Sequence, residues 1–502
     1  MLDAYTVAGL LASLSALWIL RSFLTRDKAS HQLPPGPKGL PLIGSLLDLP
    51  RRQEWETYSR WSDVMSVTAL GQRIVILGSF EATMDLLEKR SAIYSDRPYL
   101  ALTGDLVGHQ KTIPLCPYGD RMKKLRRLFT KTLGTRKLVE SFEPMIREGV
   151  QDLMLNLLDS PDKFREHILL MTGANALFLS HGLRVKDPKS ERIFHLANIV
   201  AQDFAILATP GRYVVDYLPF LQYVPSWIPG TGWKKDVAQY KQHVEDAVKI
   251  PFEAVRRAMA SGTEIPSFCS RNLQDPDDSP DHEDCIQYGS MAMYTGALLL
   301  ASCVLAMILY PEVQTRAHAE LDSVLGSERL PDFSDRDSLP YINALCSEVL
   351  RWLPVTPLAL AHKTTEDDTY NGFFIPKGTI VQPNSWRLLH DQNIYRNPTE
   401  FMPERFLAGN GREPELDPKN MAFGYGRRIC PGILLAESTL FITIATMLSV
   451  LKFSPVEENG RYVMPPVQQT DGLVSHPVPF QCNINPRSAH AEELVRSAVE
   501  MR

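Results

Sequence analysis

The sequence predicts a mainly helical protein with a small β region, preceded by one N-terminal transmembrane helix. Three observations carry that reading. An uncharged apolar run lies near the start, two long apolar stretches lie in the second half, and a short segment of strand-like alternation separates those two.

The N-terminal run, residues 4 to 20, "AYTVAGLLASLSALWIL", carries no charge, and Phe23 and Leu24 extend its apolar character to a length that spans a bilayer. No small-residue cleavage site follows, so it reads as an uncleaved anchor, residues 1–28. Asp3 precedes it while Arg21, Arg26 and Lys28 follow, which places the remainder of the chain on the cytosolic side. Residues 29–44 contain "LPPGPKGLPLIG", whose four prolines form a stiff, non-helical hinge.

The remainder, 45–502, has ordinary globular composition, 44% hydrophobic and 22% charged for the whole chain. A net charge of −5 argues against nucleic acid as a partner. Seven scattered cysteines without a CxxC pair, and no glycosylation sequon, fit a reducing compartment.

The first apolar stretch, Met291 to Tyr310, is twenty uncharged residues long and would also suffice for a membrane span. Its flanks oppose that reading: Asp281, Glu283 and Asp284 lie upstream and Glu312 downstream, with no basic cluster or aromatic belt. It is expected to be one long helix buried in a soluble core. "QDPDDSPDHED", 274–284, reads as an exposed loop before it.

Beyond it, 311–326 opens on proline and closes on glycine, as a helix does, and 338–353 is amphipathic and stops before Pro354. Asn371-Gly372 within 365–384 signals a hairpin. The second apolar stretch, Gly432 to Leu451, carries one charge, Glu437, and needs a domain large enough to bury it.

The most informative segment is "MAFGYGRRICPGILLAE", 421–437. Gly424, Gly426 and Gly432 surround Cys430, with Pro431 and an apolar helix following. Glycines allow a tight loop that aims backbone N–H groups at the sulfur, and a helix N-terminus stabilises a thiolate. Such a cysteine is a nucleophile or a metal ligand, although a lone Gly-rich Cys loop is more often structural. Upstream, Glu348 and Arg351 lie at i and i+3 on one helical face, and "FMPERF" supplies Arg405. "YGDRMKKLRRLF" places five basic residues within 121–127, by default a solvated face.

Phe423-x-x-Gly426-x-Arg428-x-Cys430-x-Gly432, with ExxR and PERF before it in that order, resembles the haem-binding region of the cytochrome P450 family. The resemblance runs from the anchor to near the C-terminus and is closest to microsomal members abundant in fungi, enzymes of secondary metabolism among them. It implies a cytochrome P450-like fold and a haem-thiolate monooxygenase domain over 45–502. The cofactor implied is haem b with Cys430 as the iron ligand, the thiolate that pushes electron density toward a bound O–O bond. Phe423 and Gly432 would pack beside the ring, Arg428, Arg126 and His362 would hold the propionates, and Glu348, Arg351 and Arg405 would form a structural network. Met122 stands where the family often has a propionate-binding tryptophan. The resemblance also implies electrons from NADPH through NADPH-cytochrome P450 reductase, which exposed basic residues of 121–127 would meet. It implies a small lipophilic substrate and a single-pass location in the endoplasmic reticulum membrane. By resemblance, pocket segments fall at 99–117, 203–225, 293–300, 356–361 and 471–475, with Phe204, Ile206, Leu207, Leu358, Leu360, Leu473 and Val474 as apolar lining.

One feature departs from the family. Its central helix carries an acid and an alcohol that relay protons to bound dioxygen. Here the segment between matching flanks is about five residues short, which would turn one half against the other by about 140° unless it loops out. Leu299 and Leu300, or Tyr294, Thr295 and Gly296, fall at those positions, and no acid lies between Asp284 and Glu312. Thr295 is then the candidate catalytic alcohol. The expectations are a working monooxygenase using Thr295, water or substrate as relay; a haem-thiolate protein driven by peroxide or rearranging an oxygenated substrate; or an impaired enzyme whose transcript is joined differently across codons 290–300. An anchored haem-binding protein without turnover is the contrast from another class.

Overall fold

The computed structural model describes residues 13, 32–50, 52–185, 188–209, 212–275, 277, 279–294, 299–409 and 411–502, with the backbone alone at 188 and 189. The expected anchor, 1–28, apart from residue 13, and Thr295 lie outside the described residues.

Eleven helices of ten residues or more are described: α1 Asp120–Leu133, α2 Glu143–Asp159, α3 Phe164–His181, α4 Pro188–Leu207, α5 Trp233–Ser261, α6 His282–Ala292, α7 Leu299–Leu309, α8 Pro311–Leu325, α9 Pro340–Trp352, α10 Ile433–Val450 and α11 Ala489–Glu500. Their boundaries follow local chemistry. Proline opens α8 and α9, and Gly182, Gly262 and Gly326, all at positive φ, follow α3, α5 and α8. On α1 the buried residues Met122, Leu125, Leu128, Phe129, Thr132 and Leu133 make one stripe, which seats the helix on the core and leaves Lys123, Arg127 and Lys131 exposed.

Strands β1 Val64–Ala69, β2 Gln72–Leu77, β3 His362–Lys363 and β6 Ile380–Pro383 form a sheet in the order β1-β2-β6-β3, parallel only between β2 and β6. β4 Asp368–Tyr370 and β5 Phe373–Ile375 are the hairpin expected around Asn371-Gly372, both at positive φ. The rest of the β region is two small pairs, β7 Leu451–Ser454 with β10 Asn483–Pro486 and β8 Val456–Glu458 with β9 Arg461–Val463.

The two apolar stretches behave differently. α10 is long and apolar enough to cross a membrane by composition, yet 61% of it is buried, with Phe441, Ile444, Ala445, Met447 and Leu448 fully enclosed. The expected single helix over 291–310 is instead two helices, because α6 ends at Ala292 and α7 begins at Leu299. Each half packs against its own neighbours: α6 against α1, α5 and the short helix Phe268–Leu273, α7 against α9, α8 and β7. A shortened continuous helix would satisfy only one of these rotational settings, and the described chain leaves the helix at Met293 and Tyr294.

Candidate functional site

The cysteine loop is built by backbone that only glycine fits. Gly424 and Gly426 have φ of 78° and 53°, and a Cβ on Gly426 would lie 2.2 Å from the Leu87 carbonyl oxygen. The Gly426 N–H donates to Glu88 Oε2 at 2.6 Å, and Tyr425, buried, shares a 2.8 Å hydroxyl bond with Ser385. The Cys430 N–H donates to the Phe423 carbonyl at 2.8 Å, which closes the loop just ahead of α10, with Gly432 at its N-cap. Burial pushes the Cys430 thiol up, while the Gly432 N–H and Arg126 pull it down. A cation at the sulfur would tip this balance to the thiolate.

Around the loop stand cations without carboxylate partners. Arg428, buried, donates from Nε to the Ser95 carbonyl and from Nη2 to that of Cys116, each at 2.7 Å, and burial lowers its guanidinium to about 10. Met122 Sδ lies 3.2 Å from Arg428 Nη1. Arg126 reaches across from α1 to donate to the Ile429 carbonyl at 2.7 Å. Arg97, buried, donates to the carbonyls of Pro114, Leu360 and Ala361. His362 is buried on β3 and bonds through Nδ1 to the Tyr94 carbonyl at 2.7 Å, which leaves Nε2 over. The Asp96–Lys363 bridge sets the segment carrying Arg97 beside β3. Burial first, and then Arg428, hold Arg97 far below the ordinary arginine range; burial and Arg97 do the same to His362. None of Arg97, Arg126 or Arg428 has a described carboxylate within 4 Å. Buried like charges of this kind call for an anionic ligand. A planar apolar group with two carboxylates and a metal for Cys430 fits this donor set.

Behind the loop, Glu348 and Arg351 are wholly buried on α9. Arg351 Nε and Nη2 donate to the Glu348 carboxylate at 2.7 and 2.8 Å, and Arg405 Nε donates to it at 3.1 Å. The remaining donors of both arginines reach the carbonyls of Leu389, Arg396, Asn397, Pro398 and Glu400, and Arg405 Nη1 also pairs with the Glu415 carboxylate at 2.7 Å, so the cluster ties α9 to the segment 389–415 that leads toward the cysteine loop.

Cys430, Phe423, Arg428, Arg126, His362 and Gly432 all line one cavity of about 610 Å³ with a predominantly apolar wall. Of the apolar candidates, Phe204, Leu360, Leu473 and Val474 line it; Ile206, Leu207 and Leu358 do not. On α4 the facing stripe is Ile193, Ala197, Val200, Ala201, Phe204 and Ala205; Ile206 lies about 200° round the helix from Phe204, and Leu207 packs instead with Val215 and Val244. His109 falls in the expected segment 99–117, whereas sequence reading missed Arg97 and the α3 wall from Thr172 to His181. "SDRP" gives no periodic or motif signal, whereas the alternation of α3 would have marked only a core face.

The basic stretch is not a free solvated face throughout. Arg121 pairs with Asp284 at 2.7 Å, Lys124 with Asp281 at 2.8 Å, and Lys131 with Asp275, so the acidic segment read as an exposed loop folds back on α1.

A sequence profile described as "Cytochrome P450" matches residues 34–484. The chain is 42% identical over 486 residues to cytochrome P450 monooxygenase 208 of Postia placenta, covering 95% of this chain and 94% of that one. It is 40% identical over 504 residues to a cytochrome P450 monooxygenase, claR, of Ampulloclitocybe clavipes, covering 98% and 93%. It is 36% identical over 486 residues to tryptamine 4-monooxygenase of Psilocybe cyanescens, covering 93% and 94%.

Proposed function

The chain belongs to the cytochrome P450 family and is a monooxygenase of that kind, and from this premise we propose that it inserts one oxygen atom from O2 into a lipophilic organic substrate. The proposed electron source is NADPH through NADPH-cytochrome P450 reductase. The proposed setting is the endoplasmic reticulum membrane, with residues 1–28 as a single-pass anchor, 29–44 as hinge and 45–502 in the cytosol.

Family membership implies haem iron with a cysteine ligand, and Cys430 is the residue proposed for it. When bound, the haem supplies iron-centred oxygen chemistry, which a thiolate ligand favours. Arg97, Arg126, Arg428 and His362 would hold its carboxylates by charge-assisted hydrogen bonds, with Phe423 and Gly432 beside the ring. His362 would donate from Nε2 only once protonated, and a carboxylate beside it would favour that form. The apolar wall from α3, α4 and Leu473–Val474 would exclude water and select a lipophilic molecule.

The observation that carries the proposal is the convergence of one cysteine and three arginines lacking carboxylate partners on one apolar cavity. The reduced carbon-monoxide difference spectrum tests it. A red-shifted thiolate band in the wild type that is lost in Cys430→Ser is expected, and its absence from well-folded wild-type protein would overturn the assignment. Product formed with NADPH and reductase then separates a monooxygenase from a binder.

The end of α6 at Ala292, with Met293 and Tyr294 outside the helix, favours a second reading, in which oxygen activation is peroxide-driven, rearranging or impaired. Product formed only with added peroxide would select it.

A further inference from the structure

Buried side-chain polar atoms without a partner among the described residues include His109 Nε2, His181 Nε2, His318 Nε2 and the Tyr294 hydroxyl. Three of their owners, His109, His181 and Tyr294, line the cavity. Folded proteins leave few such atoms unpaired, because each costs about 1–3 kcal/mol. Their concentration on one apolar wall marks places where a ligand supplies the missing bond.

His181 can be read further, because its surroundings fix its tautomer. It is 6% exposed and ends α3, where Gly182 at φ 70° turns the chain. The Ser180 hydroxyl donates to the Ala176 carbonyl at 2.6 Å, the usual bond of a helical serine to the residue four before it. A hydroxyl has one hydrogen to give. Its oxygen therefore accepts at 2.8 Å from His181 Nδ1, which must carry the ring proton. Nε2 is left as a bare lone pair. Burial lowers the imidazole to about 3, so the ring stays neutral and Nε2 stays an acceptor at any physiological pH. Leu177, Leu179 and Ile193 share the same wall and offer no competing donor.

Tyr294 marks a second polar point. Its ring packs edge-on against Phe194 with centroids 6.3 Å apart, and a Cβ on Gly173 would fall 2.5 Å from its oxygen, so glycine there makes room for the phenol. Gly173 precedes His181 by two turns, roughly 12 Å along α3. The two groups are separate poles of the wall, and only His181 has its hydrogen-bonding sense fixed.

We propose that His181 is a specificity-determining acceptor, and that the substrate is a lipophilic molecule bearing a hydroxyl or N–H group that donates to its Nε2. This rests on the reading of the cavity as the substrate chamber. A ligand lacking the donor leaves the lone pair buried and unpaired, which is how a polar point in an apolar pocket discriminates.

The test is calorimetric titration of the haem-loaded protein with 2-naphthol and with 2-methoxynaphthalene, a pair that differs by methylation of the donor. The wild type should bind the naphthol about tenfold more tightly, the ratio set by 1.4 kcal/mol. His181→Phe should reduce that ratio to about one, and His181→Gln, which keeps an acceptor oxygen, should restore part of it. A wild type that does not prefer the naphthol, including one that binds neither compound, overturns the proposal without any variant and leaves water as the partner of Nε2. A preference that survives in His181→Phe overturns the assignment to this residue. The carbon-monoxide spectrum of the same preparation reports the haem-thiolate reading separately, so failure of one is distinguishable from failure of the other.

Discussion

Replacing Glu348 by glutamine tests whether the α9 network holds the fold through buried charge. Glu348 accepts four bonds: from Arg351 Nε and Nη2, from Arg405 Nε, and from the Met402 N–H at 2.7 Å. The side chains of Glu348, Arg351 and Arg405 have no solvent exposure, so water does not screen the change. An amide oxygen placed where Oε1 sits keeps three of the bonds. The amide nitrogen then faces Arg351 Nε, donor against donor, and the arginines lose their shared negative charge. Removing one partner of a fully buried ionic cluster costs about 3–5 kcal/mol. At about 2.1 cal/mol/K per residue, a domain of about 450 residues has an unfolding entropy near 1 kcal/mol/K, so Tm should fall by about 3–5 °C. Thermal and denaturant unfolding of the haem-loaded protein measures it. Glu404→Gln is the control: its partner Arg316 is well exposed, and the change should cost under about 1 kcal/mol. A Glu348→Gln protein that melts within about 1 °C of wild type, with full haem content, would refute the reasoning.

Glu54 has its carboxyl raised to about 7 by burial and then by Asp471. A carboxyl raised on folding stabilises while protonated, so this contribution is complete below about pH 4.5 and is lost as pH rises through 7. Glu54→Gln should remove up to about 3 kcal/mol of that slope in unfolding measured from pH 4.5 to 8. Gly426→Ala should lower Tm and haem content together, because its φ of 53° and the Leu87 carbonyl 2.2 Å from a Cβ both oppose a side chain. Arg97→Met should speed haem transfer to apomyoglobin by roughly ten- to a hundredfold, the worth of a charge-assisted bond of about 1.5–3 kcal/mol; an unchanged rate would remove Arg97 from the haem contacts.

Residues whose roles depend on local pattern were legible in the sequence. The proline and glycine ends of α8, the Asn371-Gly372 hairpin and the long apolar α10 follow from short-range rules, and the cysteine loop from its glycines and spacing. The partners of Glu348 on α9 were also readable, since i and i+3 share a face. Arg97 was not. Its role comes from a bridge between Asp96 and Lys363, a sheet contact between segments some 270 residues apart that no window sees. The α3 wall escaped for a similar reason: a helix lining a cavity and a helix lining a core carry the same apolar face, and only the free Nε2 of His181 tells them apart.

The interrupted central helix ties these observations together. α6 is held at its start by ions, with Asp281 and Asp284 bound to α1, and α7 by a core in which Ala301, Cys303, Leu305, Ala306 and Met307 are fully enclosed. The break falls between these two anchorages. On the described cavity wall the one carboxylate is Glu437, and it is held by Lys419 at 2.5 Å. The Ser290 hydroxyl is spent on the Ile286 carbonyl, while burial pushes the Tyr294 phenol far above the range in which it would ionise. Among the described residues of this wall no carboxylate is free of an ion-pair partner, so a proton needed in the chamber would draw on water, on the substrate or on a hydroxyl of the chain.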